Sequence, residues 1–346
     1  MGDSISRSRT GSSYARKVLT VITRVLFWLS SSAITAWGTL AIYYSNLPSI
    51  AREACSLLYA LTSVGVLVWV RPCRRAVAVF LAGFGVVLLG WLSIPARNDR
   101  IWQPEVAVLP FATFEGDLVT VHNIRNFDYR TETDFTPAYY DKTFDLRQLD
   151  AVDLIAVYWM GPDIAHTFLS FGFGKKDHLA VSIETRKEQG EGYSTIKGFF
   201  KQYELYYVVA DERDVIRVRT NYRKDPPEEV YLFSLHGPSG NGRRLFLEYM
   251  EEINALKERP EFYNTLTTNC TTTIWFNSRV NPGHLPFSWK LLLSGHVPQY
   301  LYEASLLDTS LPFQELMTHS LINARAKAAD QDPDFSQRIR EGLPGY

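Results

Sequence analysis

Cys270 is the residue of this chain best suited to act as a nucleophile. It is one of three cysteines, and the other two, Cys55 and Cys73, lie in an apolar N-terminal region. The run 267–273 around it is typical of the start of a helix. Free N–H groups and the helix dipole favour a thiolate there, which is the nucleophilic form of cysteine. The alternative is a buried structural thiol, the commoner role of a single cysteine.

A histidine and a glutamate fall at matching ends of a predicted β-hairpin. The runs 166–173 and 178–185 have the apolar pattern of strands, and a short loop that begins with glycine joins them. Depending on the register, His166 faces position 185 or Glu184. Cross-strand side chains lie close enough for a carboxylate to fix the tautomer of an imidazole and support its charged form. The alternative is an ordinary sheet histidine beside a surface acid.

These residues follow one another along the chain as base, orienting acid and nucleophile. Papain-like enzymes usually carry their cysteine before their histidine. A circularly permuted papain-like core, in which the sheet with His166 precedes the helix with Cys270, gives the order found here. We therefore predict an α+β fold with a core of this kind and a largely antiparallel sheet.

Three further residues are candidates for supporting the site. Asn269, beside the cysteine, can donate to an oxyanion, and the alternative is a simple helix N-cap. Arg125 and Tyr129 follow a predicted strand, where a turn would place them at the mouth of a site. An arginine there can hold a phosphate or carboxylate with two hydrogen bonds, and the alternative is an internal Arg–Asp ion pair.

Basic residues and composition narrow the class of ligand. Arg186 is another candidate for site support, and with Arg217 and Arg219 it could form a basic face towards anionic lipid head groups; a solvated strand face is the alternative. The histidines lack metal-ligand spacing and no glycine-rich nucleotide loop is present, so we expect no metal and no cofactor. The net charge of −1 gives no indication of a nucleic-acid partner.

The N-terminal region has the composition of a membrane protein. Three uncharged apolar stretches, 25–44, 54–70 and 76–96, are each long enough to span the hydrocarbon core, which needs about 20 helical residues. Lys and Arg gather before the first stretch and between the second and third, so these segments are predicted to be cytoplasmic. The chain after residue 96 then lies outside, in a bacterial periplasm or its equivalent.

The predicted organisation has five parts. They are a cytoplasmic tail at 1–17, three transmembrane helices at 18–96, a linker at 97–116, a periplasmic domain with the candidate site at 117–290, and a C-terminal helical extension packed on that domain at 291–346. Strands are predicted at 118–124, 152–158, 166–173, 179–183, 205–210, 215–218 and 230–234. Helices are predicted at 193–203, at 243–256 and after Cys270.

Several spaced strings resemble the Lnb-type family. They are 121–130, 165–173, 181–186, 204–214 and 262–272, the last reading FYNTLTTNCTT, and 332–336 and 339–345 also fit. Members of this family are bacterial envelope proteins, and those assigned an activity are lipoprotein N-acyltransferases. The resemblance therefore implies an inner (cytoplasmic) membrane enzyme with a phospholipid as acyl donor and the N-terminal cysteine of a lipoprotein as acceptor.

Three functions follow as hypotheses. The first is a membrane-anchored thiol acyltransferase, with Cys270 as nucleophile, His166 as base and Glu184 as orienting acid, and an apolar groove towards the membrane favours it. The second is a periplasmic papain-like thiol hydrolase, a peptidoglycan amidase or peptidase, which a polar groove pointing away from the membrane favours. The third is a non-catalytic envelope assembly protein, which burial of Cys270 away from His166 favours.

Overall fold

The three apolar stretches form long helices. A computed structural model describes residues 6–174 and 176–346 and divides the chain into two compact units, one up to Pro95 and one comprising Ala96–Tyr346. The first unit contains α1 (Ser6–Tyr43), α2 (Ser49–Trp69) and α3 (Cys73–Leu92). By length and composition all three can cross a membrane, which confirms the predicted transmembrane helices.

Helix α1 begins before the predicted membrane segment. It starts at Ser6, whereas the prediction placed the first membrane residue at position 18. The span that is apolar enough to cross a membrane covers Arg16–Tyr43. Residues 1–5 of the predicted cytoplasmic tail lie outside the described residues.

A β-sheet forms the centre of the second unit. The strands are β1 Phe111–Glu115, β2 Leu118–Arg125, β3 Asp128–Tyr129, β4 Phe135–Thr136, β5 Tyr139–Asp145, β6 Leu149–Tyr158, β7 Ala165–Phe173, β8 Asp177–Arg186, β9 Glu204–Ala210 and β10 Glu229–Ser234. Across the described residues, eight of them make one sheet in the order β1-β2-β9-β8-β7-β6-β10, with β5 also on β2, while β3 and β4 pair separately. Neighbours run antiparallel apart from β2 and β9, which meet in parallel at Arg125 and Ala210.

Helices cover both faces of this sheet. They are α4 Glu212–Arg217, α5 Asn241–Glu258, α6 Cys270–Ser278, α7 Val297–Glu303, α8 Phe313–Ser320, α9 Asn323–Ala328 and α10 Phe335–Arg338, and a π-helical turn, Val218–Tyr222, follows α4. Helices α5 and α6 pack on the face that carries Leu169 and Val181, whereas α9 and α10 pack on the face that carries Phe168 and Ala180. Burial on both faces explains why the central strands are almost continuously apolar. The predicted α+β class is confirmed.

Two segments differ from the predicted secondary structure. Residues 215–218, predicted as a strand, belong to α4 and the turn after it, because Asp211 caps a helix there by accepting from the backbone N–H of Arg213. Residues 193–203, predicted as a helix, form a loop with one short 3-10 turn, Lys197–Phe199. Gly198 lies in this turn so close to Thr265 that a Cβ atom would stand 2.2 Å from its Oγ1.

Both ends of the second unit contribute more to its sheet and core than predicted. β1 lies within 97–116, the predicted linker, and pairs with β2 along its whole length. At the other end, Phe335 and Ile339 are fully buried in the core beneath the sheet. The C-terminal segment therefore packs on the sheet and completes one of its two hydrophobic layers.

Arg340 joins this C-terminal segment to the sheet through a buried ion cluster. Its Nη2 lies 2.6 Å from Asp153 on β6 and 2.6 Å from Glu212 at the start of α4. The hydroxyl of Ser170 on β7 donates to the same Glu212 carboxylate at 2.6 Å. Removing one partner of a buried ion pair leaves an uncompensated charge, which costs about 3–5 kcal/mol.

We therefore expect Arg340→Met to lower the thermal denaturation temperature of the full-length protein clearly. Arg338→Met is the matched control, because Arg338 is exposed on the same segment and pairs with Asp332 and Glu341 at the surface, where ion pairs stabilise little. Differential scanning calorimetry of both variants tests this. Equal melting temperatures for the two variants would contradict a structural role for the cluster.

Candidate active site

The two central strands of the sheet separate at one end. The ladder between β7 and β8 runs from Phe173 opposite Asp177 to Leu169 opposite Val181. Further along, β7 remains paired with β6 and β8 remains paired with β9. The ends of β7 and β8 therefore diverge and leave a gap in the sheet.

The start of α6 lies at this gap. The observed register brings His166 level with Glu184, the second of the two predicted registers. Beside His166, the backbone of Thr167 lies close to the Cys270 thiol and lowers its pKa. The Thr167 and Thr271 hydroxyls are 2.9 Å apart and hold the helix against the strand. The structure thus brings Cys270, His166 and Glu184 together.

A capping box fixes the first turn of α6. The Asn269 side-chain oxygen accepts from the backbone N–H groups of Thr271 and Thr272, each at 2.9 Å, and the Thr272 hydroxyl accepts from the Asn269 N–H. The amide nitrogen of Asn269 donates to the Thr265 carbonyl at 2.8 Å. The cap interpretation of Asn269 is therefore confirmed, and its amide is occupied. In the described chain the backbone N–H of Cys270 has no hydrogen-bond acceptor, as expected for the first residue of a helix.

His166 is oriented through its Nε2 atom. This nitrogen lies 2.7 Å from the Ser182 hydroxyl and 3.1 Å from Oε1 of Glu184. The imidazole and the Cys270 thiol are close enough to shift each other's pKa. Because Nε2 faces Ser182 and Glu184, Nδ1 is the ring nitrogen left for the sulfur. His166 is buried, whereas Cys270 is partly exposed.

Glu184 has two partners that the sequence did not reveal. Its Oε1 accepts from the Ser182 hydroxyl at 2.8 Å and from Nη2 of Arg219 at 2.7 Å. Ser182 could have been found from strand alternation, since residues two apart on β8 share a face. Arg219 could not have been found in this way. Residues 215–218 before it were predicted as a strand, whereas the structure has a helix and then a π-helical turn that bring Arg219 to Glu184.

The charges of this cluster favour a thiolate–imidazolium pair. Burial alone would raise the pKa of the Cys270 thiol, but the neighbouring His166 charge and the hydrogen bonds to the sulfur outweigh it and lower this pKa to about 7. Burial would likewise lower the pKa of His166, but Glu184 and then Cys270 outweigh it and raise that pKa to about 9. Against its own burial, His166 and Arg219 hold the pKa of Glu184 well below its usual range. Cys270 is therefore a thiolate beside a protonated histidine between these two values.

Tyr263 is a further polar group beside the thiol. Burial, then the nearby Cys270 charge, raises the pKa of its phenol, so the ring stays neutral and can donate a hydrogen bond. Tyr193, in the loop between β8 and β9, raises this pKa further. Nothing in the spacing of the sequence singled out Tyr263.

Arg125 and Tyr129 do not support the site as predicted. Arg125 pairs with the buried Asp214 through Nε and Nη2, the closest contact being 2.6 Å, and the Tyr129 hydroxyl reaches the same carboxylate at 3.3 Å. Arg125 lies opposite Ala210, at the end of β9 away from Cys270. The alternative of an internal Arg–Asp ion pair is confirmed.

The other arginines are also structural. Arg186 donates to the Asn98 side chain and the Val106 carbonyl and stacks 4.3 Å from the Trp102 ring, so it binds the segment after the membrane helices. The predicted basic face towards lipid is wrong, because Arg217 and Arg219 are also buried. A buried charge needs a partner. Arg217 pairs with Asp128 and Arg219 with Glu184, so both charges are compensated inside the fold.

A cavity of about 900 Å³ lies behind α6. Its walls include the apolar side chains of Leu169, Ile274 and Leu301, and Thr167 and Thr271 line it next to the site. Neighbouring residues of a strand point to opposite faces, so this cavity is on the other face of the sheet from His166. Within 6–174 and 176–346, no group of three or more His, Cys, Asp or Glu side chains could hold a metal ion.

Comparison with known proteins supports an envelope domain. Residues 135–295 match the family model described as the Lnb N-terminal periplasmic domain, which confirms the resemblance to the Lnb-type family. This segment holds all three candidate site residues. No curated protein and no solved structure gives a significant match.

The pKa of Cys270 can be measured through its alkylation. With Cys55→Ser and Cys73→Ser removing the other thiols, we expect the rate with iodoacetamide to rise with a midpoint near pH 7, below the value of about 8.5 for an ordinary thiol. His166→Ala should move the midpoint up and slow alkylation at pH 7 by roughly tenfold or more. His178→Ala, at the other end of β8, should leave the midpoint in place. An unchanged midpoint in His166→Ala would contradict the ion pair.

Proposed function

We propose that this protein is a membrane-anchored cysteine acyltransferase that moves an acyl chain from a phospholipid to an amine. The observation that carries the proposal is the contact of Cys270 with His166, which is itself held by Glu184. A nucleophile, a base and an orienting carboxylate in this order are suited to acyl transfer. The Lnb periplasmic domain and the three membrane-crossing helices support a substrate of the cell envelope.

The first half-reaction forms a thioester. The Cys270 thiolate attacks an ester carbonyl of the phospholipid, and the carbonyl electrons move onto oxygen. When the tetrahedral intermediate collapses, the ester C–O bond breaks and the His166 imidazolium gives its proton to the leaving alkoxide. The products are a lysophospholipid and an acyl group on the sulfur. We assign stabilisation of the oxyanion to the backbone N–H of Cys270, which has no acceptor among the described residues.

The second half-reaction transfers the chain. Neutral His166 takes a proton from the acceptor amine as its nitrogen attacks the thioester carbonyl. The C–S bond then breaks, an amide forms, and the thiolate–imidazolium pair returns. The acceptor is proposed to be the N-terminal cysteine of a diacylglyceryl-lipoprotein, as in the relatives of this family that have an assigned activity.

Membrane anchoring raises the effective concentration of both substrates at the enzyme. A phospholipid and a lipoprotein share one leaflet, here proposed to be the periplasmic leaflet of the inner membrane. Confining the enzyme to the same bilayer raises their effective concentration without any new contact. The contact between Cys270 and His166 argues against the non-catalytic alternative, which requires the thiol to lie away from the imidazole.

We expect Cys270→Ser to abolish acyl transfer while the protein remains folded and inserted, because a serine hydroxyl is ionised far less than this thiol. Wild-type protein incubated with acyl-labelled phospholipid should carry label that neutral hydroxylamine removes. In cells, mass spectrometry should find N-acylated lipoprotein termini with the wild type and none with Cys270→Ser.

Cys73→Ser is the control, since that cysteine is exposed and lies in the N-terminal helical unit. It should retain both the covalent label and the modified lipoproteins. Normal transfer by Cys270→Ser refutes covalent catalysis. Release of free fatty acid without any N-acylation identifies a hydrolase instead.

Glu184→Gln should reduce turnover by roughly 10²-fold with little change in KM, because the lost charge acts on the imidazolium rather than on the substrate. The pKa of His166 is raised by Glu184, so its removal lowers that pKa. The activity that is lost as pH rises through the His166 pKa should then disappear at lower pH than in the wild type.

Glu204→Gln is the matched control for this variant. Glu204 is a buried carboxylate at the same end of the sheet, opposite Arg186, and it contacts Arg100 rather than His166. Its pH profile of activity should keep the wild-type upper limb. If Glu184→Gln kept the wild-type turnover and pH profile, the site would be a Cys–His dyad rather than a triad.

A further inference from the structure

Large apolar side chains are exposed around the candidate active site. Met160 is 69% exposed, Ile196 53% and Leu266 51%. With the neighbouring exposed side chains they form a set that we call the apolar rim: Met160, Ile164, Tyr193, Ile196, Phe199 and Leu266. Single exposed apolar residues are common, but a set gathered around a site marks an interaction surface.

The topology of the sheet gathers these residues at one edge. The loop between β6 and β7 leaves the sheet where Tyr158 faces Ala165, and the loop between β8 and β9 leaves it where Arg186 faces Glu204. Both positions are at the end where the gap with His166 opens. The third part of the rim, just before α6, is joined to the β8–β9 loop by a hydrogen bond from the Thr265 hydroxyl to the Thr195 carbonyl at 2.9 Å.

The segment that follows the membrane helices is bound at the same edge. The backbone N–H of Arg97 donates to Glu204 at 3.1 Å, and the Asn98 side chain accepts from Arg186 at 2.8 Å. Trp102 then pairs with Glu188, the second residue beyond β8. Residues 97–102, at the start of the second unit, therefore join the sheet at the same end as the rim.

We propose that the apolar rim inserts into the interface of the lipid bilayer and presents the Cys270 site to it. Aromatic and aliphatic side chains suit this environment, where tyrosine places its ring among apolar groups and its hydroxyl in water. The rim lies at the end of the sheet where the Cys270 gap opens, so the ester carbonyls of a phospholipid would reach the sulfur without the lipid leaving the bilayer. This use of the surface rests on the proposed acyltransferase function, whereas the membrane contact itself does not.

Depth-dependent fluorescence quenching tests the contact without requiring turnover. Full-length protein with Cys55→Ser, Cys73→Ser and Cys270→Ser carries one new thiol, Ile196→Cys, which is labelled with bimane. It is reconstituted in phosphatidylethanolamine/phosphatidylglycerol vesicles that contain brominated phospholipid. The matched control is Ser239→Cys, an exposed position in the loop after β10 at the opposite end of the sheet.

We expect brominated lipid to quench bimane at position 196 at least twofold more strongly than at position 239. Equal quenching at the two positions overturns the proposal, whatever the enzyme's activity. Strong quenching at position 196, together with no acyl transfer by the wild-type protein, supports the membrane surface and rejects the proposed function.

A second variant links the surface to catalysis. Ile196→Glu with Leu266→Glu should lower the rate with vesicle phospholipid by at least fivefold, because charged groups enter a bilayer interface poorly. Iodoacetamide should still alkylate Cys270 at the wild-type rate, which shows that the site is intact. An unchanged rate with vesicles and unchanged alkylation together overturn the role of the rim in lipid access.

Discussion

Backbone N–H and C=O groups that are not paired in a β-ladder need other hydrogen-bond partners. The separation of β7 from β8 leaves such groups at the candidate site. The first turn of α6 packs against the freed end of β7, where the Thr167 and Thr271 hydroxyls are in contact and the Thr167 backbone lowers the pKa of the Cys270 thiol. The same separation gives the His166 ring and the Glu184 carboxylate room to meet through side chains instead of a ladder. One opening in the sheet therefore positions all three groups and gives the sulfur a polar environment inside an apolar core.

The charge on Glu184 depends on contacts that extend well beyond the hairpin. Arg219 compensates it from the π-helical turn after α4, and α4 is held in turn by Asp214, which accepts from Arg125 and from the backbone N–H of Phe127. The network around Asp214 is remote from the thiol, yet it fixes the element that carries Arg219. Substitutions at Arg125 should therefore affect the site by moving Arg219, not by removing a contact with substrate.

The sequence was most informative where the determinants were local. The cap at Asn269 and the pairing of His166 with Glu184 depend on residues close together in the chain, so spacing and strand alternation were enough to predict them. Arg219 was misplaced, because the short apolar run 215–218 fits a strand or a helix equally well and only the cap at Asp211 decides between them. The role of Arg186 depends on Asn98 and Trp102, distant residues that no periodicity identifies.

Cys270 is far in sequence from the hairpin that carries His166 and Glu184, which has a consequence for biosynthesis. His166 and Glu184 belong to one hairpin, whereas Cys270 arrives on a helix much later in the sequence. During export the unfolded segment carries an ordinary thiol, since neither the imidazolium nor the Thr167 backbone is near it. The thiol becomes activated only when α6 docks at the open end of the sheet, so the unfolded chain carries no thiolate–imidazolium pair.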